Sequence, residues 1–350
     1  MRGLLLIALL IASTLCFSVK PIDLLHCFAD AAENDPTYQA QVAIFNATKQ
    51  DVPENYAALL PQVSLSAAVA REFAYMTSVG RGYFPTNSYG VQANQTIFNY
   101  TQFKQLEQAR YTVKAAFATL SAQQQELMIR TAKAYLDVLQ SNQMLGFVEQ
   151  QKQYISEQLN ATKTLFDHSD ATVTDFEQAK GAYDIIDSEL YSAQINQYDA
   201  VQTLSQITGV RYQQFSRLNN AFPIIKPSPE KIEVWLDIAN EQNWNLRSTR
   251  LTISTAREAL EATRGGLLPT LSASSSFSNG VVPGLFLKKS AQSNNAAYGL
   301  NANWSAFQGG LTVAQIKKRR LLIYNRVKRI CVSNIYKPWP IREKHIIQSW

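Results

Sequence analysis

Two stretches of this chain recur at a fixed separation, and that recurrence limits the folds open to it. Leu60-Pro61-Gln62-Val63-Ser64 resembles Leu268-Pro269-Thr270-Leu271-Ser272, 208 residues later. Tyr89-Gly90-Val91-Gln92-Ala93-Asn94 resembles Tyr298-Gly299-Leu300-Asn301-Ala302-Asn303, 209 residues later. Phe98-Asn99 and Phe307-Gln308 keep the second spacing, and Glu33-Asn34-Asp35 and Glu241-Gln242-Asn243 keep the first. One inserted residue across so long a match points to two copies of one unit.

Each copy holds two segments of period two, the mark of a β-strand with unlike faces. Tyr89, Val91, Ala93, Gln95 and Ile97 alternate with Gly90, Gln92, Asn94 and Thr96. Tyr298, Leu300, Ala302, Trp304 and Ala306 alternate with Gly299, Asn301, Asn303 and Ser305. Val63, Leu65, Ala67 and Val69, and then Leu271, Ala273, Ser275 and Phe277, show the same pattern against Gln and Ser. A soluble sandwich shares this alternation, but its wet face usually carries Lys and Glu. Here the polar parity is Asn, Gln, Ser and Thr, and charged residues are only 17% of the 350, against roughly 25% in an ordinary soluble domain. A water-filled lumen fits that face better than open solvent. The spacing predicts strands of about nine to eleven residues, enough to cross a bilayer when tilted. Gln92, Asn94, Thr96, Asn301, Asn303 and Ser305 are the expected lumen-facing positions.

The connections read as helix. No proline occurs between Pro85 and Pro223. Leu106, Val113, Leu120, Leu127, Ala134, Ser141, Val148 and Ile155 form a seven-residue repeat, with Phe103, Phe117, Val138 and Leu145 beside it. That is a coiled-coil seam. A helix over Tyr100 to Phe166 would run about 100 Å at ~1.5 Å per residue. It breaks at Asp167-His168-Ser169-Asp170, and Thr174-Asp175 opens a return helix to about Ile207, with Thr174 as its cap. A soluble coiled-coil rod accounts for this hairpin alone, and leaves the four strands unexplained. Asp23 to Tyr56 and Glu230 to Arg264 are the helices that lead into the strand pairs.

Arg2 followed by the apolar run Gly3 to Leu15 reads as a secretory signal, with cleavage after Ser18. Cys27 and Cys331 then remain as incidental thiols without metal spacing. The expected organisation is a signal peptide over 1–18, a first repeat over 19–222, a linker over 223–229, an incomplete second repeat over 230–318 and a divergent basic tail over 319–350. Ten of the Lys and Arg residues lie from Lys317 onward, against one acid, Glu343. Such a tail could meet anionic lipid or nucleic acid, and export argues against nucleic acid. His26, His168 and His345 lie far apart, and no catalytic, phosphate-loop or metal-ligand constellation stands out; no cofactor or metal is expected. Asp167, Asp170 and Asp175 read as turn and capping residues.

Four strands cannot close a barrel, for which eight is the practical minimum. Open edges are not tolerated in hydrocarbon, so the chain must pool strands with copies of itself. The fold class is α+β: a transmembrane β-barrel with four strands per chain, continued by a coiled-coil tunnel on one side of the membrane.

At this point the chain resembles the TolC family of outer-membrane efflux and secretion channels, from about Ile22 to Lys318. The carriers are the duplication, Leu60-Pro61 and Leu268-Pro269 before strands, and Ile97-Phe98 and Phe307-Gln308-Gly309-Gly310 after them. Thr131 to Leu139 in the long helix, Thr174-Asp175 at the turn and Gln206-Ile207-Thr208-Gly209 at the end of the return helix complete the set. The resemblance implies a trimeric, twelve-strand barrel in the outer membrane with a periplasmic tunnel. It implies a passive exit duct of a tripartite efflux or type I secretion system, joined by a periplasmic adaptor to an inner-membrane transporter. It also makes the hairpin tip, Asp167, His168, Ser169, Asp170, Thr174 and Asp175, the docking point for those partners. The family's turn carries Gly and apolar residues before Thr-Asp, where this chain has His168, Ser169 and Asp170. The second long hairpin is missing, and the tail reads as a truncation or frame change, so no gate residues carry over. The alternative reading is a periplasmic coiled-coil remnant that no longer inserts.

Overall fold

The computed structural model describes residues 21–76, 80–218, 228–282 and 291–333. The expected signal peptide, most of the linker and the last part of the basic tail lie outside the described residues. The described elements are helices α1 (Leu24–Asn34), α2 (Pro36–Lys49) and α3 (Asp51–Ala57), strands β1 (Gln62–Met76) and β2 (Gly80–Phe98), and helices α4 (Tyr100–Asp167) and α5 (Val173–Thr208). Helices α6 (Ile232–Gln242) and α7 (Trp244–Gly265), strands β3 (Thr270–Val282) and β4 (Ala291–Asn303) and helix α8 (Leu311–Ser333) follow. They fall into two compact units, Met1–Ala43 with Leu120–Trp235, and Ile44–Thr119 with Leu236–Trp350.

The first unit is helical. Cys27 from α1, Ala134, Tyr135, Val138 and Leu139 from α4, and Val201 and Leu204 from α5 make one buried cluster. The Tyr135 hydroxyl lies 3.1 Å from the Ile22 carbonyl and 2.8 Å from that of Ser216. It thereby ties the segment before α1 to the one after α5. Burial, with Asp30 nearby, pushes the Cys27 thiol up to about 11, so it packs as a small apolar group with little thiolate at neutral pH. Farther along the hairpin, Val148 meets Ile186 and Ala193 in a second cluster, beside a Lys152–Asp187 ion pair of 2.5 Å.

Of the expected seam on α4, Leu106, Leu127, Ala134 and Val148 are buried and Val113, Leu120, Ser141 and Ile155 half-buried. Phe103 and Phe117 depart from it, being 42% and 50% exposed. Their rings turn aside to other aromatics in the second unit: Phe103 to Phe98 at 6.4 Å, and Phe117 to Phe45 and Trp244 at 5.9 and 6.0 Å. The leading helices are also broken where single helices were expected. Asp35 and Asn243 stop them, because each side chain caps the next helix: Asp35 Oδ1 accepts from Tyr38 N–H at 2.7 Å, and Asn243 Oδ1 from Leu246 N–H at 3.1 Å. Pro36 then sits at the first position of α2, where its missing N–H costs nothing.

The second unit holds one antiparallel sheet in the order β1-β2-β3-β4. The duplication is written into its register. Gln62 opposes Asn94 and Leu65 opposes Val91 in the first hairpin; Thr270 opposes Asn303 and Ala273 opposes Leu300 in the second. Each residue pair is the other shifted by 208 and 209. The strands measure 15, 19, 13 and 13 residues, longer than expected, because backbone pairing continues past the cleanly alternating stretches, to Met76 opposite Gly80 in the first hairpin. Under the sheet, α7 ends hard against the start of α4. Thr101 Oγ1 donates to the Ala262 carbonyl at 3.1 Å and Lys104 pairs with Glu258 at 2.9 Å. A Cβ at Gly265 would lie 2.8 Å from the Thr101 backbone nitrogen, so this approach needs glycine there.

Candidate channel wall and hairpin tip

Directly opposed residues in an antiparallel sheet share a face, so the register sorts every side chain. Gln92 opposes Ser64 on one side and Ser276 on the other; Asn94 opposes Gln62 and Ser274; Thr96 opposes Ser272. Asn301 opposes Ser272 and Asn303 opposes Thr270. Five of the expected lumen positions therefore lie on one continuous face, with Ser and Gln of β1 and β3 between them. Asn301 Nδ2 donates to Ser274 Oγ at 2.9 Å across that face. No Asp, Glu, Lys or Arg occurs in 62–70, 86–96, 270–281 or 292–303, so these parts of the sheet carry dipoles and no fixed charge.

Ser305 is the exception. β4 ends at Asn303, and Ser305 lies beyond the strand, an exposed residue of irregular chain. The alternation around it is real, but β3 begins at Thr270, opposite Asn303, and among the described residues 304–307 have no strand to pair with. A second departure is a bulge between Thr96 and Phe98, which brings Phe98 opposite Leu271 on the other face.

That other face is apolar and open. Val63, Leu65, Val69, Tyr89, Leu300 and Tyr298 are between 60% and 92% exposed. Arg71 lies over the Tyr83 ring at 5.2 Å, and Phe73 packs against Tyr83 at 5.1 Å. The sheet is thus two-sided and open-edged, with β1 and β4 lacking an outer neighbour among the described residues.

At the far end of α4, Asp167 is its last residue and His168, Ser169 and Asp170 form the turn, all exposed. Ser169 takes a left-handed φ of 65°, which lets the chain reverse in so few residues. Thr174 does not cap the return helix. Thr172 does: its hydroxyl accepts from Asp175 N–H at 3.2 Å, and the Asp175 carboxylate accepts from Thr172 N–H at 3.0 Å. Both threonines have an acid three residues on, Asp175 from Thr172 and Glu177 from Thr174; the box forms from Thr172 because its backbone is extended, with φ of −82° and ψ of 158°, while Thr174 already lies within the helix. These bonds hold the Asp175 carboxyl below the usual carboxylate range. Phe166 and Phe176 stack at 5.4 Å behind the turn, a brace that periodicity did not reveal. The tip residues thus stand together, but Asp167, Asp170 and Asp175 do not form a cation cluster.

Residues 28–210 match the family described as outer membrane efflux protein. The chain belongs to that family. It is 28% identical over 306 residues to outer membrane protein TolC of Escherichia coli K12, and 27% identical over 309 residues to the alkaline protease secretion protein AprF of Pseudomonas aeruginosa. These matches take in 85% and 82% of the chain but 62% of each relative, so the chain spans less than two thirds of their length. In fold it is similar to the Campylobacter jejuni CmeC outer membrane channel, with TM-score 0.76 at 14% identity over 89% of this chain and 67% of that one. VceC of Vibrio cholerae gives 0.69 at 14% identity over 89% and 75%. The fold is that of the outer-membrane channels, α+β with a four-stranded antiparallel sheet and long helices. Members of this family reside in the outer membrane and extend into the periplasm, and so does this chain. Its relatives are channel and secretion proteins, not enzymes.

Proposed function

We propose that three copies of this chain pool their strands into one twelve-stranded barrel in the outer membrane, and that their helical hairpins continue it as a periplasmic conduit. The observation that carries this reading is the sheet itself: four strands, a polar face uncharged apart from Glu72 toward the end of β1, one exposed apolar face and two edges open among the described residues. In hydrocarbon, the apolar face needs no cover and the edges need partners. Aromatics support the same orientation. Tyr89 and Phe98 stand nine positions apart, as do their duplicates Tyr298 and Phe307. Nine residues span about 30 Å of strand, or about 23 Å of membrane when tilted, close to the ~25 Å apolar band between aromatic girdles.

The duct is passive. It breaks no bonds and offers a polar path, and an inner-membrane transporter supplies the energy through a periplasmic adaptor. The adaptor meets the hairpin tip at Asp167, His168, Ser169, Asp170, Thr174 and Asp175. The segments fall as first repeat 19–222, linker 223–229 and second repeat 230–318. Expression in a strain lacking its own exit duct tests the whole: outer-membrane extracts should hold heat-dissociable trimers that restore export and conduct ions in planar bilayers. A soluble periplasmic monomer would overturn the reading in favour of a non-inserting remnant.

A further inference from the structure

We propose that β4 of one copy pairs antiparallel with β1 of a second copy in a single register, with Leu300 opposite Val69 and Gly299 opposite Ala70. The inference rests on the shared-barrel reading above and deepens it to named contacts.

The register comes from inside the chain. β4 is β2 displaced by 209 residues, and β3 is β1 displaced by 208, since both hairpins pair alike. A neighbouring β1 laid against β4 therefore repeats β3 laid against β2. There, Gly90 opposes Ser278, Val91 opposes Phe277 and Gln92 opposes Ser276. Adding 209 to the first member and subtracting 208 from the second gives Gly299 with Ala70, Leu300 with Val69 and Asn301 with Ala68. The faces stay matched. Leu300 and Val69, 70% and 90% exposed in one chain, meet on the apolar side.

Two observations outside that arithmetic point to the same contact. A Cβ at Gly90 would lie 2.8 Å from the Phe277 carbonyl oxygen, so the pairing with β3 needs glycine. Its duplicate, Gly299, has nothing within 4 Å of such a Cβ. The chain keeps glycine where its own fold leaves room for a side chain. In the proposed register the missing neighbour is the Val69 carbonyl of the second copy, the counterpart of Phe277.

The strand ends agree. β2 runs to Phe98, past Asn94, its last residue paired with β1, because β3 carries it through Thr96 opposite Ser272. β4 stops at Asn303, its last residue paired with β3. Residues 304–307, the counterparts of 95–98, keep the alternating pattern and lack a strand. The register sets Ser305 opposite Ser64 of the second copy, as Thr96 stands opposite Ser272, so assembly would complete β4 and place Ser305 on the polar face.

Cysteine pairing tests this in the full-length protein carrying Cys27→Ala and Cys331→Ala. Val69→Cys is combined in turn with Tyr298→Cys, Gly299→Cys, Leu300→Cys, Asn301→Cys and Ala302→Cys, and outer membranes are mildly oxidised. Inter-chain cross-linking in the assembled fraction should peak several-fold at Leu300→Cys. A peak at another position, or assembled protein without cross-links, overturns the register while leaving the shared barrel intact. Absence of any assembly in the uncysteinylated parent overturns the barrel reading itself. Independently, Gly299→Val should reduce the oligomer several-fold without changing the strand content of the monomer; unchanged assembly overturns the contact with Val69.

Discussion

Trp304 Nε1 donates to the carbonyl oxygen of Leu267 at 3.1 Å. One repeat earlier, Gln95 Nε2 donates to the carbonyl of Leu59 at 2.7 Å. Two unlike side chains thus make one bond, between the exit of each hairpin's second strand and the turn that enters its first. Trp304→Phe keeps the ring and removes the donor, and should lower stability by about 1 kcal/mol. Trp304→Gln, borrowing the first repeat's solution, should recover part of it. Thermal dissociation midpoints of the assembled protein measure both; a Phe variant equal to wild type would contradict the bond's role.

Strand parity makes a paired prediction. Val91→Lys or Leu300→Lys puts a charge on the apolar face and should cost about 2–4 kcal/mol near the bilayer midplane, blocking insertion. Gln92→Lys or Asn301→Lys adds charge to a part of the polar face that carries none, and should insert and turn the channel toward anions. Outer-membrane yield and reversal potential read the two effects. Equal damage from both sets would contradict the assignment of faces.

Asp35 is 2% exposed, with Arg130 Nη2 at 3.1 and 3.2 Å from its two oxygens. Burial alone would raise its carboxyl, but bonds from Thr37, Tyr38 N–H and Arg130 outweigh that and hold it low. A depressed carboxyl contributes stability above the unfolded value near ~4 and loses it as pH falls through the folded one. Asp35→Asn copies Asn243, keeps the cap and loses the ionic partner. It should cost about 1–3 kcal/mol at pH 7, and the gap from wild type should close in acid. Denaturant unfolding at pH 7 and at pH 3 checks it; a gap independent of pH would refute the ionic account.

Thr172→Ala removes one half of the box at the hairpin tip. Amides in the first turn of α5 should exchange several-fold faster, while those beside Ile186, in the buried cluster with Val148, should not change. Hydrogen exchange resolved by residue decides this. Thr174→Ala is the companion variant and should leave both regions unaffected.

Much of this architecture was legible in order along the chain. The break after Asp167 was visible, and so were the two hairpins and the faces of Gln92, Asn94, Asn301 and Asn303. Each is a matter of local period or a reversal signal within a few residues. The misreadings have local causes too. Thr174-Asp175 is conspicuous, but Thr172 and Thr174 each have an acid three residues on, so the spacing does not choose between them; the extended backbone of Thr172 does. The leading helices looked continuous because their apolar period survives the breaks at Asp35 and Asn243.

By itself, the sequence determined the duplication, the two-sided strands and the long hairpin, because side-chain alternation and heptad spacing follow from backbone geometry at short range. Only the tertiary structure decided that β2 lies against β3, pairing Gly90 with Ser278 across the repeats. It alone decided that α1 closes over Tyr135 and Val138, and that β4 halts at Asn303 while its counterpart runs on to Phe98. Those outcomes depend on which distant backbone arrives to satisfy each N–H and C=O, and a strand without that neighbour ends wherever its last partner does.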